Sequence, residues 1–404
     1  MKLLAVFCIL SLFAASNSQA NSNSDDYVQV ENKHDQFDWK LIKQALKSHQ
    51  SNVLISPLSA KFLLTLLAEA AGQTFNSETR MQLDQVLPES KNLNSAKEYF
   101  TAILESIQSF NDAYHVNFAN RLYVDKIVSI NQRFGATIEH FYNSKIVSSD
   151  FSDVAGSAQL INNWIKESTN GKIGDVVLNS DIQRSILILI SALYFEGTWT
   201  VPFNTTASRD FFTAPDTKVS KTFMEETGSF HYCNSQDLNA QILRMPYEGK
   251  KFSMFIILPN AINGADAVTE KLDSNILRND ICRLEKSEVH VVIPKFKFDA
   301  SISLNDDIKS IGINEIFESS ATFPLFARGG GSQGKLKVSN IIQRLGIAVD
   351  EKGVTVKSTT DIEQVSKFGA ESIEFIADHP FIFFIEDDTT GAKLFAGRVS
   401  NPEY

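Results

Sequence analysis

Near its end the chain reads Phe375-Ile376-Ala377-Asp378-His379-Pro380-Phe381-Ile382-Phe383-Phe384-Ile385. This apolar run is interrupted only once, by Asp378-His379-Pro380. Proline fixes its own backbone φ angle and restricts the residue before it, so the interruption predicts a stiff turn. The apolar residues that follow predict a strand buried in the core.

The composition predicts one large domain. The chain has 404 residues, of which 43% are hydrophobic and 21% are charged. These values are typical of a globular protein with ample core. Because no Pro-rich, Ser-rich or strongly charged linker divides the chain, we expect a single domain over residues 35–404. The polar residues 21–26 open a segment, 21–34, that we expect to be a disordered N-terminus of the mature protein.

The first twenty residues have the pattern of a signal peptide. Lys2 supplies a positive start, residues 3–15 are almost wholly apolar, and Ser18 and Ala20 are small residues spaced for cleavage after Ala20. Cleavage after Ser16 is an alternative. An N-terminal membrane anchor is a further alternative, but the apolar run is too short to span a bilayer. The pattern therefore predicts a secreted, extracellular protein.

Net charge bears on the partners. The formal charge of the whole chain is −10, and removal of residues 1–20 takes away one Lys and no acid, which gives −11. An acidic protein is a poor partner for nucleic acid, which favours a basic face. We expect a monomer that binds neither nucleic acid nor membrane.

Secretion makes two kinds of covalent modification relevant. Cys233 and Cys282 remain once the leader is removed, and an oxidising compartment permits one disulfide between them. The alternative, two buried free thiols, is favoured because a domain of this size does not need a disulfide to be stable. Asn204-Thr205-Thr206 is the only glycosylation sequon of the chain, so Asn204 is the candidate glycan site.

Helical patterns dominate the first third of the chain and strand patterns the last half. Ser56 is placed to cap a helix that has Pro57 in its first turn and Gly72 at its end. The continuous apolar run of residues 186–190 predicts a central strand that is buried on both faces. Without βαβ alternation, the order of elements predicts an α+β fold with large, mainly antiparallel sheets.

We find no convincing catalytic signature. Gly330-Gly331-Ser332-Gln333-Gly334 matches the G-x-S-x-G pattern of hydrolases, but that chemistry needs a strand, a sharp turn and then a helix. No helix is predicted after Ser332, so a flexible loop is favoured over a nucleophile. The chain also lacks zinc-ligand spacing, a phosphate loop and a dinucleotide fingerprint. We therefore predict a protein that is not an enzyme and that has no metal or cofactor.

Several motifs, in the same order along the chain, resemble those of the serpin family from about residue 35 to 402. The matching stretches are 52–59 (NVLISPLS), 189–199 (LISALYFEGTW), 294–297 (PKFK), 345–353, 375–385 and 397–402 (GRVSNP). The resemblance implies about nine helices around three β-sheets, of which the central one has five strands. It also implies an exposed reactive loop over about residues 351–371.

The resemblance implies that inhibitory members are cleaved in this loop by a protease. The protease is trapped as an acyl-enzyme while the loop inserts into the central sheet. Counting along the loop at the family spacing places the cleaved bond at Lys367-Phe368, whereas counting back from Pro380 favours a site nearer Gly369. A Lys before the cleaved bond suits a trypsin-like serine protease, whose specificity pocket holds a carboxylate.

The hinge of the loop corresponds to Glu351, Lys352, Gly353, Val354, Thr355 and Val356. Alternate side chains of an inserting strand must face the core, which makes 354, 356, 358 and 360 inward positions. None of these four is charged or proline, so insertion is feasible. However, inhibitory serpins usually have small residues where Val356 and Lys357 stand.

The residues that gate the sheet correspond to Ser56, Ser59, Ser191, Gln343 and Trp199. Family members usually have Asn at the position of Ser191 and His at that of Gln343, and these two normally share one hydrogen-bond network. The departures leave two functions open. The first is a suicide inhibitor of a trypsin-like protease, and the second is a non-inhibitory serpin that acts as a carrier, ligand or protease substrate.

Overall fold

A computed structural model of the chain describes residues 35–73, 77–107, 112–174, 177–327, 336–351 and 372–404. Ten α-helices lie in this part of the chain: α1 (Asp35–Ser48), α2 (Pro57–Ala71), α3 (Glu78–Val86), α4 (Leu93–Ile107), α5 (Gln132–Tyr142), α6 (Val154–Ser168), α7 (Asn179–Ile182), α8 (Ala265–Lys271), α9 (Ser274–Cys282) and α10 (Asn305–Ser310). Short 3₁₀ turns span Pro88–Lys91 and Glu315–Phe317.

Fourteen strands lie in the same part: β1 (Val53–Ile55), β2 (Tyr114–Asp125), β3 (Lys145–Ser149), β4 (Leu187–Gly197), β5 (Thr205–Ala214), β6 (Thr217–Ser235), β7 (Ala240–Pro246), β8 (Phe252–Pro259), β9 (Glu285–Pro294), β10 (Phe296–Ser303), β11 (Val338–Val349), β12 (Ile373–Ile376), β13 (Phe381–Asp387) and β14 (Lys393–Val399). The elements form the predicted α+β architecture.

The central sheet has five strands in the order β10-β11-β4-β2-β3. β4 occupies the middle, and its first nine residues are all buried. The apolar run of residues 186–190 is therefore the central strand that the sequence predicts. Neighbouring strands are antiparallel except for β11–β4 and β2–β3, which are parallel.

The remaining nine strands form one continuous hydrogen-bonded sheet, in which β6 joins two halves. The 19-residue β6 pairs with β5 over its first part, with β9 over its middle and with β7 at its end. The two smaller sheets that the family resemblance implies are thus connected through a single long strand.

The interrupted segment at residues 375–385 folds as predicted. β12 ends at Ile376, the chain turns through Asp378-His379-Pro380, and β13 runs buried between β8 and β14. The turn is fixed to the core, because His379 Nε2 lies 2.8 Å from the carbonyl oxygen of Pro259.

Helix α2 begins and ends where the sequence predicts, and it is buried throughout. The Ser56 hydroxyl accepts a hydrogen bond from Ser59 N at 3.1 Å, which satisfies one of the N–H groups that a helix leaves open at its start. Gly72 ends the helix with a φ of +62°, a conformation that glycine adopts without a steric penalty.

The two cysteines are not bonded to each other. Cys233 is half-buried and Cys282 is exposed, and neither is in a disulfide. The disulfide alternative is wrong, and the expectation that both thiols are buried is wrong for Cys282. Burial raises the pKa of Cys233 to about 12, which keeps that thiol protonated and unreactive at neutral pH. Within the described residues, no helix is long and apolar enough to cross a bilayer.

Candidate functional site: the seam of the central sheet

The boundary between β4 and β11 is here called the seam. It is closed, since the two strands pair directly from Leu187 beside Val338 to Phe195 beside Ile347. β11 ends at Val349, and the chain continues into the segment for which the family resemblance implies a reactive loop. The seam therefore adjoins the start of that segment.

Gln343 ties the middle of the seam to helix α2. Its Oε1 accepts a hydrogen bond from Ser56 N at 2.8 Å, and its Nε2 donates to Ser56 O at 2.6 Å. Both residues are fully buried. The pair is an amide clamp that holds β11 against the N-terminus of α2.

Ser191 lies beside Gln343 in the register of the seam, and Asn120 lies beside Ser191 in the next strand, β2. The structure thus brings Ser191 and Gln343 together, as the family pattern implies. However, the hydroxyls of Ser191 and Ser59 are buried and have no hydrogen-bond partner in the described part of the chain. The hydrogen bonds of the network run from Gln343 to Ser56 and leave Ser191 out.

Asn120 was not singled out in the sequence. Its Oδ1 is buried and unpartnered among the described residues. The signal that points to it is an amide in a strand whose residues two positions before and after, Phe118 and Leu122, are apolar and face the same side of the sheet. Three polar side chains therefore lie side by side across the buried middle of the sheet.

Trp199 closes the top of the seam. Its indole Nε1 donates to Asp350 O at 2.9 Å, and its ring stacks on Tyr247 with centroids 4.2 Å apart. Glu351 follows at once; Phe203 N donates to its carbonyl oxygen at 3.1 Å, and Lys295 Nζ lies 2.5 Å from its carboxylate. Glu351, the first residue of the predicted hinge, is thus held by a backbone hydrogen bond and by an ion pair.

The described residues resume at 372, and strand β12 follows. Ile373 to Ile376 pair in parallel with β9, and Glu374 Oε2 lies 2.9 Å from His290 Nδ1. Residues 352–371 therefore connect two anchored points, namely the top of the seam and the edge strand β12.

Arg344 is a second feature that sequence reasoning missed. It is fully buried, and the carboxylate of Asp299, itself half-exposed, lies 3.5 Å from its Nη2. Adjacent residues of a strand point to opposite faces of the sheet, so Arg344 and Gln343 lie on different faces. Arg344 shares its face with Ile342, which packs against α6. Burial lowers the pKa of the Arg344 guanidinium to about 10, because the charged form loses its water.

Several of the predicted site residues lie outside the described residues. They are the hinge positions Lys352, Gly353, Val354, Thr355 and Val356, the predicted cleavage positions Lys367 and Phe368, and Ser332 of the hydrolase-like motif. The element described after residue 335 is strand β11, so a helix does not follow Ser332 there as a nucleophile elbow would need.

Asn204 of the glycosylation sequon is exposed and precedes β5. Its Nδ2 donates to Glu226 Oε2 at 2.8 Å. The side chain that would carry a glycan thus lies at the surface.

Comparisons with known proteins agree on one family. A family model described as Serpin (serine protease inhibitor) matches residues 32–402. Serine protease inhibitor 2 of Anopheles gambiae is 36% identical over 405 residues, covering 98% of this chain and 99% of that protein. Among solved structures, Serpin48 of Tenebrio molitor matches with a TM-score of 0.80 and 30% identity over 91% of this chain and 96% of its own. Uncleaved ovalbumin shares the fold with a TM-score of 0.81 and 24% identity, over 91% of this chain and 98% of its own.

Proposed function

The chain belongs to the serpin family, as its motifs predict. From this premise we propose that it is a secreted inhibitor of a trypsin-like serine protease and that it is consumed in the reaction. The protease hydroxyl attacks the carbonyl carbon of Lys367, and the amine of Phe368 leaves. Because the protease supplies the nucleophile, this chain acts as a substrate and not as an enzyme.

One observation carries the proposal: the seam is a parallel pair inside an otherwise mainly antiparallel sheet. The segment that follows β11 would run antiparallel to β11 if it turned back beside it. It would then also run antiparallel to β4. Insertion would replace one parallel pairing with two antiparallel pairings, which are slightly more stable per residue.

Two buried polar side chains, Ser191 and Asn120, favour a seam that can open. Ser191 and Asn120 bring buried polar groups to the sheet without forming hydrogen bonds through Ser191 Oγ or Asn120 Oδ1 among the described residues. Buried polar groups without partners cost free energy, so they lower the stability of the closed sheet relative to a rearranged one. The departure from the family pattern at Ser191 is therefore compatible with insertion.

The choice of protease rests on Lys367. It is the only basic residue between Thr360 and residue 371, and its ammonium group would reach the carboxylate in the pocket of a trypsin-like enzyme. A cleavage site nearer Gly369 remains the alternative, and it would change the class of target protease.

Secretion is proposed from the leader at residues 1–20. The exposed Asn204 supports it, because a glycan on its Nδ2 would replace only one solvent-facing contact to Glu226. In the secretory pathway this side chain is available to the glycosylation machinery.

The test is to mix the mature protein with trypsin and to separate the products on a denaturing gel. We expect a band at the summed mass of protease and inhibitor, because an acyl-enzyme survives denaturation. Lys367→Ala should abolish this band. Lys357→Ala, which removes a second lysine of the same loop at a position between the inward-facing residues 356 and 358, should retain it.

A non-inhibitory serpin is the second candidate, and the bulk of Val356 together with Lys357 favours it. If trypsin and other serine proteases cut the loop without forming a complex, and the melting temperature does not rise after cleavage, the non-inhibitory function replaces the inhibitory one. A rise in melting temperature would support insertion even where no complex accumulates.

A further inference from the structure

An open cavity of about 340 Å³ lies at the foot of the seam, at the opposite end from Trp199. It is lined from both sides of the seam. The residues that matter here are Arg184 and Ser185 before β4, Lys337, Ser339 and Asn340 around the start of β11, and Lys309 of α10.

The lining is positively charged in a protein of net charge −10. It contains three cations, Arg184, Lys309 and Lys337, and one carboxylate, Asp181. Asp181 Oδ2 already accepts a hydrogen bond from Leu178 N at 2.8 Å.

The cations of the cavity are largely available. Arg184 and Lys337 have no ion pair or side-chain hydrogen bond with the described residues. Lys309 is weakly engaged: its Nζ lies 3.9 Å from Asp306, whose side chain is 99% exposed, and 5.1 Å from the centre of the Phe317 ring, which also lines the cavity. The chemistry of the lining, cations together with Ser and Asn groups, is that of a site for anionic oxygen atoms.

Arg184 occupies a strained position. Its φ is +64°, in the left-handed region that costs a residue with a Cβ atom roughly 1 kcal/mol and that glycine occupies freely. The chain therefore places a long cationic side chain at a turn where the backbone favours glycine. The turn is kept at this cost, and it places Arg184 in the lining of the cavity.

The ladder that closes the seam is irregular at this end, and side-chain hydrogen bonds supplement it. The register between β4 and β11 shifts between Val338 and Asn340, and Ile186 N donates to Ser339 Oγ at 2.8 Å. Asn305 Nδ2 donates to Ser339 O at 2.9 Å, which ties the strand to the start of α10. A ligand in the cavity would contact both strands where their pairing is irregular.

We propose that this cavity binds a small multivalent oxyanion that carries phosphate or sulfate groups, through Arg184, Lys309 and Lys337. Because these cations come from both sides of the seam, the bound anion holds the seam closed and slows insertion of the loop. The binding site stands by itself, whereas its effect on insertion rests on the function proposed above.

Binding is tested by isothermal titration calorimetry of the full mature protein with pyrophosphate, and separately with a sulfated disaccharide, in about 0.15 M salt. We expect saturable binding at one site, weakened roughly tenfold or more in Arg184→Gln/Lys337→Gln. The charge-conserving Arg184→Lys/Lys337→Arg should retain most of it. The preferred probe identifies the phosphate or the sulfate source.

The matched control is Lys91→Gln/Arg133→Gln, which removes the same two charges from exposed positions outside the cavity. Equal weakening in the control and the cavity variant would show attraction to net charge only and would overturn the site. So would the absence of binding by both probes to the parent protein. Equal melting temperatures of the variants without ligand verify that each one is folded.

The effect on insertion is measured as the number of inhibitor molecules consumed per trypsin molecule, with and without pyrophosphate. We expect a severalfold increase with pyrophosphate, because slower insertion gives the protease time to complete hydrolysis. The cavity variant should show no increase, and an unchanged value in the parent would overturn the regulatory role. If trypsin forms no complex even without the anion, the regulatory role fails together with the proposed function. The calorimetric titrations then still test whether the cavity binds the anion.

Discussion

Gln343 hydrogen-bonds to both backbone groups of Ser56, accepting from its N–H at 2.8 Å and donating to its carbonyl at 2.6 Å. Ser56 is the N-cap of α2, so one side chain of β11 fixes the strand to the helix that lies beneath the sheet. Because β11 borders the seam, any opening of the seam at this level has to break or carry along this amide clamp.

The first prediction concerns the strength of the amide clamp. Gln343→Ala removes the partner that the structure gives the buried Ser56 N–H, and it leaves a cavity in the sheet. We expect a loss of about 2–4 kcal/mol in the free energy of unfolding, measured by urea denaturation. Ser191→Ala deletes a buried hydroxyl without a hydrogen bond, so it should be neutral or stabilising. Equal losses in both variants would contradict the role given to Gln343.

The second prediction concerns Arg344. Its buried guanidinium has one carboxylate contact, at 3.5 Å to the half-exposed Asp299. Replacing a poorly compensated buried charge with an apolar side chain of similar length is often stabilising, so Arg344→Met should raise the free energy of unfolding by about 1–3 kcal/mol. Thermal and urea denaturation of the uncleaved protein measure the effect. Arg133→Met at an exposed position is the control and should change stability little; a destabilised Arg344→Met would contradict the argument.

The third prediction is a pH dependence. Burial raises the pKa of Asp388 to about 6, although Arg244 lies 3.0 Å from its Oδ2 and Ser253 donates to the same oxygen at 2.7 Å. The folded protein therefore binds this proton more tightly than the unfolded chain does. The stabilisation is complete below about pH 4 and is lost as the pH rises to about 6.

This contribution disappears in Asp388→Asn. The stability of the parent protein should fall relative to this variant by up to about 3 kcal/mol between pH 4 and pH 7. Urea denaturation at a series of pH values measures the difference. Asp306→Asn, at a fully exposed carboxylate, should follow the parent at every pH. If the difference in the free energy of unfolding between Asp388→Asn and the parent were the same at every pH, Asp388 would not be the source of the pH dependence.

Features determined by local sequence could be predicted. The cap at Ser56, the stop at Gly72 and the central strand at 186–190 each follow from a few adjacent residues, and each is found in the structure. The turn before β13 is of the same kind. Such features depend on backbone angles and on burial patterns that a short stretch determines by itself.

The contacts of the gate could not be predicted in this way. Ser56 and Gln343 are 287 positions apart in the sequence, and nothing near either residue indicates the other. In the sequence, Arg344 is indistinguishable from an exposed charged residue. Its complete burial results from the packing of α6 over that face of the sheet, which the neighbouring residues do not indicate. The family pattern named Ser191 and Gln343 as partners, but it could not show that an amide in place of His would bond to the backbone of Ser56.

The last prediction tests insertion through the alternation of the hinge. Val356 is a predicted inward position, so Val356→Glu would place a carboxylate in the packed sheet on insertion, at a cost of several kcal/mol. Thr355→Glu adds the same side chain and the same charge one residue earlier, where it would point outward. We expect trypsin to cleave both variants, but only Thr355→Glu to retain the covalent complex and the rise in melting temperature after cleavage. Loss of the complex in both variants would show that charge near the hinge, and not its direction, blocks inhibition. If both variants and the parent are cleaved without a complex or a change in melting temperature, the loop does not insert, and the non-inhibitory function takes precedence.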